Sequence, residues 1–487
     1  MKTAAAIQPL LALDRRRATP LHRQVYQAYR DAIVDRRLHA GQRLPSTRGL
    51  AAELRVSRIP VLNAFEQLLA EGYVESRVGS GTFVAGSLPG GPPASARRPA
   101  SGAAPRPRPR RVARLPIRRQ PEPWLGGWGA FRVSQPALDE FPLRVWSRLL
   151  ARHARDQRRR LLSYGDPLGH RPFREVLASY LRTARSVRCE ADQVMVVSGS
   201  QQALAIAARV LLEPGSPVWV EEPGYAGAWD ALRMAGARLV PVPVDGEGLD
   251  VRAGLGLSPR ARAAYVTPSH QYPLGSTLSA TRRFQLLEWA ARAGAWVIED
   301  DYDSEYRYES QPICSLQGLD RAARVIYVGT LSKVLFPALR IGYLVLPPDL
   351  VARFALVREA GDLFPPTLPQ AALADFIGEG HFARHLRRMR ALYRERRTAL
   401  VDALEQEAGD ALRVVGGEAG LHLVATLPKG RADRPASLRA AGEGLWTMPL
   451  SSCYLQDASL RGFVLGFGGT SAAAMRPAVR ALRRVLR

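Results

Sequence analysis

The chain has 487 residues, 46% of them apolar and 23% charged, so it is too long for one small module and too apolar for a disordered protein; two or three domains are expected, one with a large core. Its 69 Lys+Arg against 44 Asp+Glu give a net charge of +25, which points to a polyanionic partner, nucleic acid before membrane surface, although a general preference for arginine accounts for part of it. Cys189, Cys314 and Cys453 are scattered, which excludes a disulfide framework and a paired-cysteine zinc site. No run of about 18 apolar residues exists and the first residues lack a signal-peptide pattern, so a cytoplasmic protein without membrane contact is expected.

Residues 1–86 read as one unit. Thr19 is placed to cap a first helix, with Pro20 in its first turn and Leu21, Val25, Tyr29, Ile33 and Val34 at helical spacing. Ser46 can cap a second helix carrying Arg48, Leu50, Ala51 and Leu54. Ser57 follows a tight turn and caps a third helix, with Arg58 at its start and Phe65, Leu68 and Leu69 facing inward. Two short strands, at residues 73–76 and 81–84, flank a tip containing Arg77 and Gly79. A recognition helix enters the major groove by its N-terminal end, and a glycine-bearing wing approaches the minor groove closely; Ser46, Arg48, Ser57, Arg58, Arg77 and Gly79 are therefore the candidate DNA-binding residues. A small protein-binding module is the competing interpretation on pattern alone. The segments Leu44-Pro45-Ser46-Thr47-Arg48, Val56-Ser57-Arg58, Ala70-Glu71-Gly72-Tyr73 and Gly79-Ser80-Gly81-Thr82-Phe83-Val84 resemble the GntR-type winged helix-turn-helix, which implies binding to double-stranded operator DNA. Ile59-Pro60 stands where that family usually carries a Thr-rich pair.

Residues 87–123 read as a Pro/Arg-rich linker, with nine arginines between Arg97 and Arg119 and no acid before Glu122. Proline holds such a segment extended and like charges repel, giving a semi-stiff tether.

From residue 124 to residue 487 short strands alternate with helical stretches. Residues 194–197, 217–220, 263–266, 296–298 and 325–328 are β-branched or aromatic runs, each ending in polar residues. This alternation predicts an α/β domain on a mainly parallel sheet, with ligands at the carboxyl ends of its strands.

The polar ends carry the chemistry. Lys333 follows the strand at 325–328; a lysine that forms a Schiff base must be neutral, hence desolvated or near another cation. Arg340 lies seven residues on, and Thr330 and Ser332 offer hydroxyls to a phosphate. Asp300, at the end of the strand 296–298, can hold a protonated pyridine nitrogen or cap a following helix; Asp301 and Asp303 are its rivals. Tyr302 can reach a ring oxygen. Ser200 and Gln201 open a helix after a strand and a glycine, an anion site through backbone N–H groups. Tyr225 can stack on a ring, and His270 and Tyr272 can touch its oxygen, unless their segment is a plain Pro-Gly turn.

Ser200-Gln201-Gln202, the 300–308 segment and the 329–342 segment together resemble fold-type I pyridoxal-phosphate enzymes, the aspartate aminotransferase superfamily. With the GntR-type head, the whole is similar to the MocR subfamily of regulators. The resemblance implies pyridoxal 5'-phosphate as cofactor. Lys333 would be the catalytic Schiff-base lysine, Asp300 the ring-nitrogen partner, Tyr302 the ring-oxygen partner and Tyr225 the stacking ring. Ser200, Gln201, Thr330, Ser332 and Arg340 would hold the phosphate. Tyr164 would reach the phosphate of a partner subunit in a head-to-tail homodimer. The implied function is a transcription regulator that senses pyridoxal phosphate or an amino compound. A working aminotransferase with a DNA-binding head is the alternative, and an empty vestigial fold a third. Val464 stands where aminotransferases carry the arginine that clamps a substrate carboxylate, and Arg461, three residues away, falls on the opposite strand face.

Overall fold

The computed structural model describes residues 13–15, 18–77, 79–86, 122, 126–155, 159–308 and 313–486. The expected linker, apart from Glu122, lies outside the described residues. The chain divides into two compact units, one up to Pro107 and one from Arg108.

The first unit packs helices α1 (Leu21–Val34), α2 (Thr47–Glu53) and α3 (Arg58–Ala70) against an antiparallel pair, β1 (Val74–Arg77) and β2 (Gly81–Val84). Helix α1 buries Val25, Tyr29, Ala32 and Ile33, the stripe that the periodicity marks. It begins one residue later than expected: Pro20, not Thr19, takes the N-cap position and no side chain caps the end. Proline needs no N–H partner there. The Ser46 hydroxyl accepts from Gly49 N at 3.0 Å and caps α2. Ser57 occupies the N-cap position of α3 without making such a bond. Phe65 and Leu68 are buried as expected, and Tyr29 meets Phe65 edge-on at 5.4 Å. Leu69 is instead 46% exposed. Adjacent residues on a helix diverge by about 100°, so Leu68 and Leu69 cannot both face one core.

The second unit is built on an eight-stranded sheet. In chain order its strands are β3 (Val194–Val197), β4 (Pro217–Glu222), β5 (Arg238–Asp245), β6 (Gly248–Leu249), β7 (Ala263–Val266), β8 (Trp296–Asp301), β9 (Val325–Thr330) and β10 (Gly342–Val345); in space the order is β3-β10-β9-β8-β7-β4-β5-β6. Strands β5, β4, β7, β8 and β9 run parallel, while β10 is antiparallel to both its neighbours. The central strands are buried along their length, which is why they read as continuous apolar runs rather than alternating ones. A second sheet, β11 (Arg413–Val415), β12 (His422–Thr426), β13 (Met448–Pro449) and β14 (Gly462–Gly466), is antiparallel, in the order β11-β12-β14-β13. Among the described residues no helix is long and apolar enough to cross a membrane.

On the core side of β8 a buried ion pair ties the sheet to the helix Arg171–Arg185. Arg185 Nε donates to Asp301 Oδ2 at 2.7 Å, both side chains being at most 3% exposed, and the Tyr327 hydroxyl donates to the same oxygen at 2.5 Å. Burial works against the Asp301 charge, but the Arg185 guanidinium beside it holds its carboxyl below the usual range. Removing one partner of such a pair strands the other charge in a dry interior. Arg185→Leu is therefore expected to lower stability by about 3–5 kcal/mol, measured as a fall in the urea midpoint.

Candidate cofactor site and nucleic-acid interface

The carboxyl ends of β4, β7, β8 and β9 surround a cavity of about 150 Å³. Of the residues expected there, Ser200, Gln201, Tyr225, Asp300, Tyr302, Thr330, Ser332, Lys333 and Arg340 all line it. Three elements bring them together. Strand β9 ends at Thr330 and turns, presenting Ser332 and Lys333. Strand β8 presents Asp300. The helix Ser200–Leu211 opens on the same space.

Lys333 is half-buried. Burial, with help from the Arg340 charge and against Asp303 and Asp300, brings its amine down to about 8. Asp300 is 4% exposed; one oxygen accepts from the Tyr265 hydroxyl at 2.8 Å, and the other has no partner. Burial pushes its carboxyl up to about 7, against the Tyr265 hydrogen bond. Asp300 continues β8, which runs three residues beyond the expected end. It caps no helix. Its rivals are engaged elsewhere: Asp301 with Arg185, and Asp303 with His270 Nδ1 at 3.0 Å and Leu421 N at 3.3 Å.

The anion end is built from backbone and hydroxyls. Arg340 Nη2 donates to Ser198 O at 2.6 Å, and its guanidinium lies 3.0 Å from where a Cβ on Gly199 would stand. Gly199 has φ +92 and forms the N-cap of the helix Ser200–Leu211, whose free N–H groups and dipole favour a phosphate. The Ser332 hydroxyl is buried and unpartnered, a donor in want of an acceptor. Gln201 Nε2 donates to the Tyr225 hydroxyl at 3.2 Å.

Two expected residues stand apart. His270 does not line the cavity; its Nδ1 sits 3.0 Å from the Tyr302 hydroxyl, so it touches the site only through that side chain. Tyr164 is 83% exposed and packs on Phe364, away from the cavity. The sequence reading missed Ser134, Tyr265 and Thr267 as cavity residues. Tyr265 carried a signal, being a polar aromatic in the strand beside β8. Ser134 carried none, because it enters from the opening segment of the domain, where Phe131 and Ser134 both have left-handed backbones, φ +69 and +64. Val464 is fully buried with Val424, Met448, Leu450 and Cys453, and Arg461 is exposed ahead of β14.

Ligand atoms of His270, Asp303 and His422 lie within 4.8 Å of one another. Most of these atoms are engaged within the protein: Asp303 takes His270 and Leu421 N, and His422 Nε2 lies 3.1 Å from Pro273 O.

In the first unit Arg48 and Arg58 are exposed, and Arg58 Nε donates to Thr47 Oγ1 at 3.1 Å, which draws the start of α3 against the start of α2. Ile59 is 66% exposed beside them. In the wing, Arg77 pairs with Glu75 at 2.6 Å and lies 4.6 Å from the Phe83 ring centre; Gly79 at the tip has φ +74. Arg43, which the sequence reading passed over, bridges to Phe83.

Residues 131–482 match the family of aminotransferases of class I and II, and residues 21–84 match the gntR family of bacterial regulatory proteins. The chain thus joins a DNA-binding head to an aminotransferase-type domain, and that domain's cofactor is pyridoxal 5'-phosphate. Over 478 residues, 97% of its length and 95% of the relative's, it is 43% identical to the probable rhizopine catabolism regulatory protein MocR of Rhizobium meliloti. It is 31% identical to the pyridoxine biosynthesis transcriptional regulator PdxR of Corynebacterium glutamicum, covering 94% of each chain. Among solved structures it resembles the alpha-aminoadipate aminotransferase LysN of Thermus thermophilus, with a TM-score of 0.69 at 30% identity, covering 74% of this chain and 93% of that one. The chain belongs to the MocR-type transcription regulators. The cavity fits the cofactor: an amine, an unpartnered buried carboxyl oxygen and an unpartnered buried hydroxyl face one space.

Asp300 sets a pH signature. Its carboxyl titrates near 4 when unfolded and at about 7 when folded. Between those values the folded state binds the extra proton, so stability drops as pH rises from about 4 to about 7 and stays low above. Asp300→Asn lacks this loss. In cofactor-free protein the variant is expected to match wild type near pH 4 and exceed it by a few kcal/mol at pH 8, read from urea midpoints at each pH.

Proposed function

We propose that Lys333 and Asp300 hold pyridoxal phosphate in the cavity, and that its occupation by the cofactor, or by an amino compound reacting with it, sets how the head engages operator DNA. The observation that carries this reading is a depressed, half-buried amine facing a buried, partly unpaired carboxyl in a chain with a gntR-type head. When bound, the cofactor supplies an aldehyde that condenses reversibly with amines and a ring that draws electrons while its nitrogen is protonated. Lys333 contributes an amine that loses its proton near pH 8. Asp300 offers its free oxygen to the ring nitrogen, and the desolvation that raises its carboxyl rewards a cationic donor there. Tyr225 covers one ring face and Tyr302 donates to the ring oxygen. Ser200, Gln201, Thr330, Ser332 and Arg340 bind the phosphate. Tyr164, exposed in the single chain, completes the site of a second copy in a head-to-tail homodimer.

The effector is pyridoxal phosphate or an amino compound, and the apolar Val464 favours the cofactor itself, because that position gives an amino acid's carboxylate no clamp. A ligand shifts an equilibrium only by its differential affinity for the two states; an effector that binds one arrangement of the domain more tightly changes operator affinity by that margin. In the head, Ser46, Arg48, Ser57 and Arg58 lie at the groove-facing helix starts, and Arg77 and Gly79 at the wing. Ile59 offers an apolar contact of the kind a thymine methyl accepts.

Fluorescence anisotropy with the DNA upstream of the chain's own gene tests the reading. Binding is expected to be saturable and salt-sensitive, with a midpoint that moves on adding pyridoxal phosphate. Lys333→Ala retains binding but loses the response and the visible colour. Arg58→Ala weakens specific binding by about 1–3 kcal/mol and leaves the colour intact. Steady turnover of amino donors and keto acids, with DNA binding indifferent to cofactor, would instead establish the aminotransferase reading.

A further inference from the structure

Behind the cavity, with neither residue lining it, stands a buried imidazole–carboxylate pair. His270 and Asp303 are each 2% exposed. His270 Nδ1 lies 3.0 Å from Asp303 Oδ1 and 3.0 Å from the Tyr302 hydroxyl, while its Nε2 is buried without a partner. Leu421 N donates to the other Asp303 oxygen at 3.3 Å. Gly420, at φ +71, lets the backbone pass so close that a Cβ there would overlap Asp303 Oδ2 and the His270 ring.

This geometry fixes a tautomer. An unprotonated Nδ1 would set its lone pair against a buried carboxylate oxygen, so Nδ1 carries the proton and donates it. That single N–H is shared with the Tyr302 oxygen, also 3.0 Å away, which accepts the second arm of a three-centre bond. A hydroxyl whose oxygen is held from behind directs its own hydrogen forward, into the cavity that Tyr302 lines.

We propose that His270 and Asp303 are positioning residues that make Tyr302 a one-way donor toward the ring oxygen of the cofactor. The inference rests on the cofactor reading above and adds to it a function for two side chains that touch no ligand. Polarised by the imidazole, Tyr302 donates more strongly; it draws negative charge from the ring oxygen and so weakens that oxygen's hold on the neighbouring proton of the chromophore. His270→Phe removes the N–H, leaves more charge on the ring oxygen, and keeps that proton bound to higher pH. The groups facing the pair and Tyr302 from the surrounding elements are Asp300, Lys333, His422, Tyr272 and Glu221. They are common to every variant compared and cancel.

The test is a pH titration of the visible band of the full-length protein saturated with pyridoxal phosphate, with the cofactor's dissociation constant as a second readout. Tyr302→Phe is expected to raise the midpoint by about one pH unit, the size of one charge-assisted hydrogen bond. His270→Phe should raise it in the same direction by part of that, and the double variant should show no shift beyond Tyr302→Phe alone, because the pair acts only through that hydroxyl. His270→Gln, which restores a donor, should return the midpoint toward wild type and guards against loss of folding as the explanation. An unmoved midpoint in His270→Phe, or additive shifts in the double variant, would overturn the proposal. A wild-type protein that stays colourless with added pyridoxal phosphate would sink the cofactor reading itself, and this inference with it.

Discussion

Everything in the C-terminal domain turns on burying an acidic run. Glu299, Asp300, Asp301, Asp303 and Glu305 fall within seven residues, and all are less than 9% exposed. An unpaired buried carboxylate is costly, so each must find a partner or give up its charge. Glu299 accepts from Leu316 N and Gln317 N and starts a short helix. Asp301 takes Arg185. Asp303 takes His270. Glu305 accepts from the Tyr180 hydroxyl at 3.2 Å and is pushed up to about 7 by burial. Asp300 alone keeps a bare oxygen toward a cavity. The site is what remains when the other four acids have each taken a partner away from the cavity.

Strand geometry decides which acid that is. Successive residues of β8 point to opposite faces, so Asp301, facing the helix Arg171–Arg185, obliges Asp300 to face the other way. The alternation was in the sequence, but the extent of β8 was not: acids disfavour strands, and the run looks like a loop until Arg185, Tyr327 and Tyr265 are known to receive it. Those partners lie 116, 26 and 35 residues away, beyond any local pattern. The same limit hid β10, whose four residues are strand only because β3 and β9 flank them, and hid Ser134. By contrast, Lys333, Thr330, Ser332 and Arg340 lie within eleven residues of chain, and their grouping could be read directly. Helix α1 is legible for the same reason, its stripe being local; Leu69 departs from the expectation because apolarity alone does not fix helical phase.

In the function proposed above, the aminotransferase-type domain keeps the parts that bind an aldehyde cofactor and lacks one that would grip a substrate. The Val464 side chain packs with Val424, Met448 and Leu450, so the change is absorbed by a small apolar cluster and leaves no stranded charge. Catalysis requires interactions that strengthen in the transition state; recognition requires only differential affinity for two states. In the function proposed above, recognition uses the same cavity and scaffold without needing the first demand to be met.

The opening segment of the domain carries a mechanical consequence. Phe131 and Ser134 both hold left-handed backbones, a conformation that costs a non-glycine residue of order 1–3 kcal/mol. The hydrogen bonds Gly466 N to Phe131 O at 2.9 Å and Trp446 N to Ala130 O at 2.9 Å clamp the segment in place. It is thus a drawn spring pinned to a sheet, with half-buried Ser134 lining the cavity. Whatever enters that cavity meets the segment that these two hydrogen bonds hold, so ligand occupancy and the strain of two left-handed residues share one short stretch of chain.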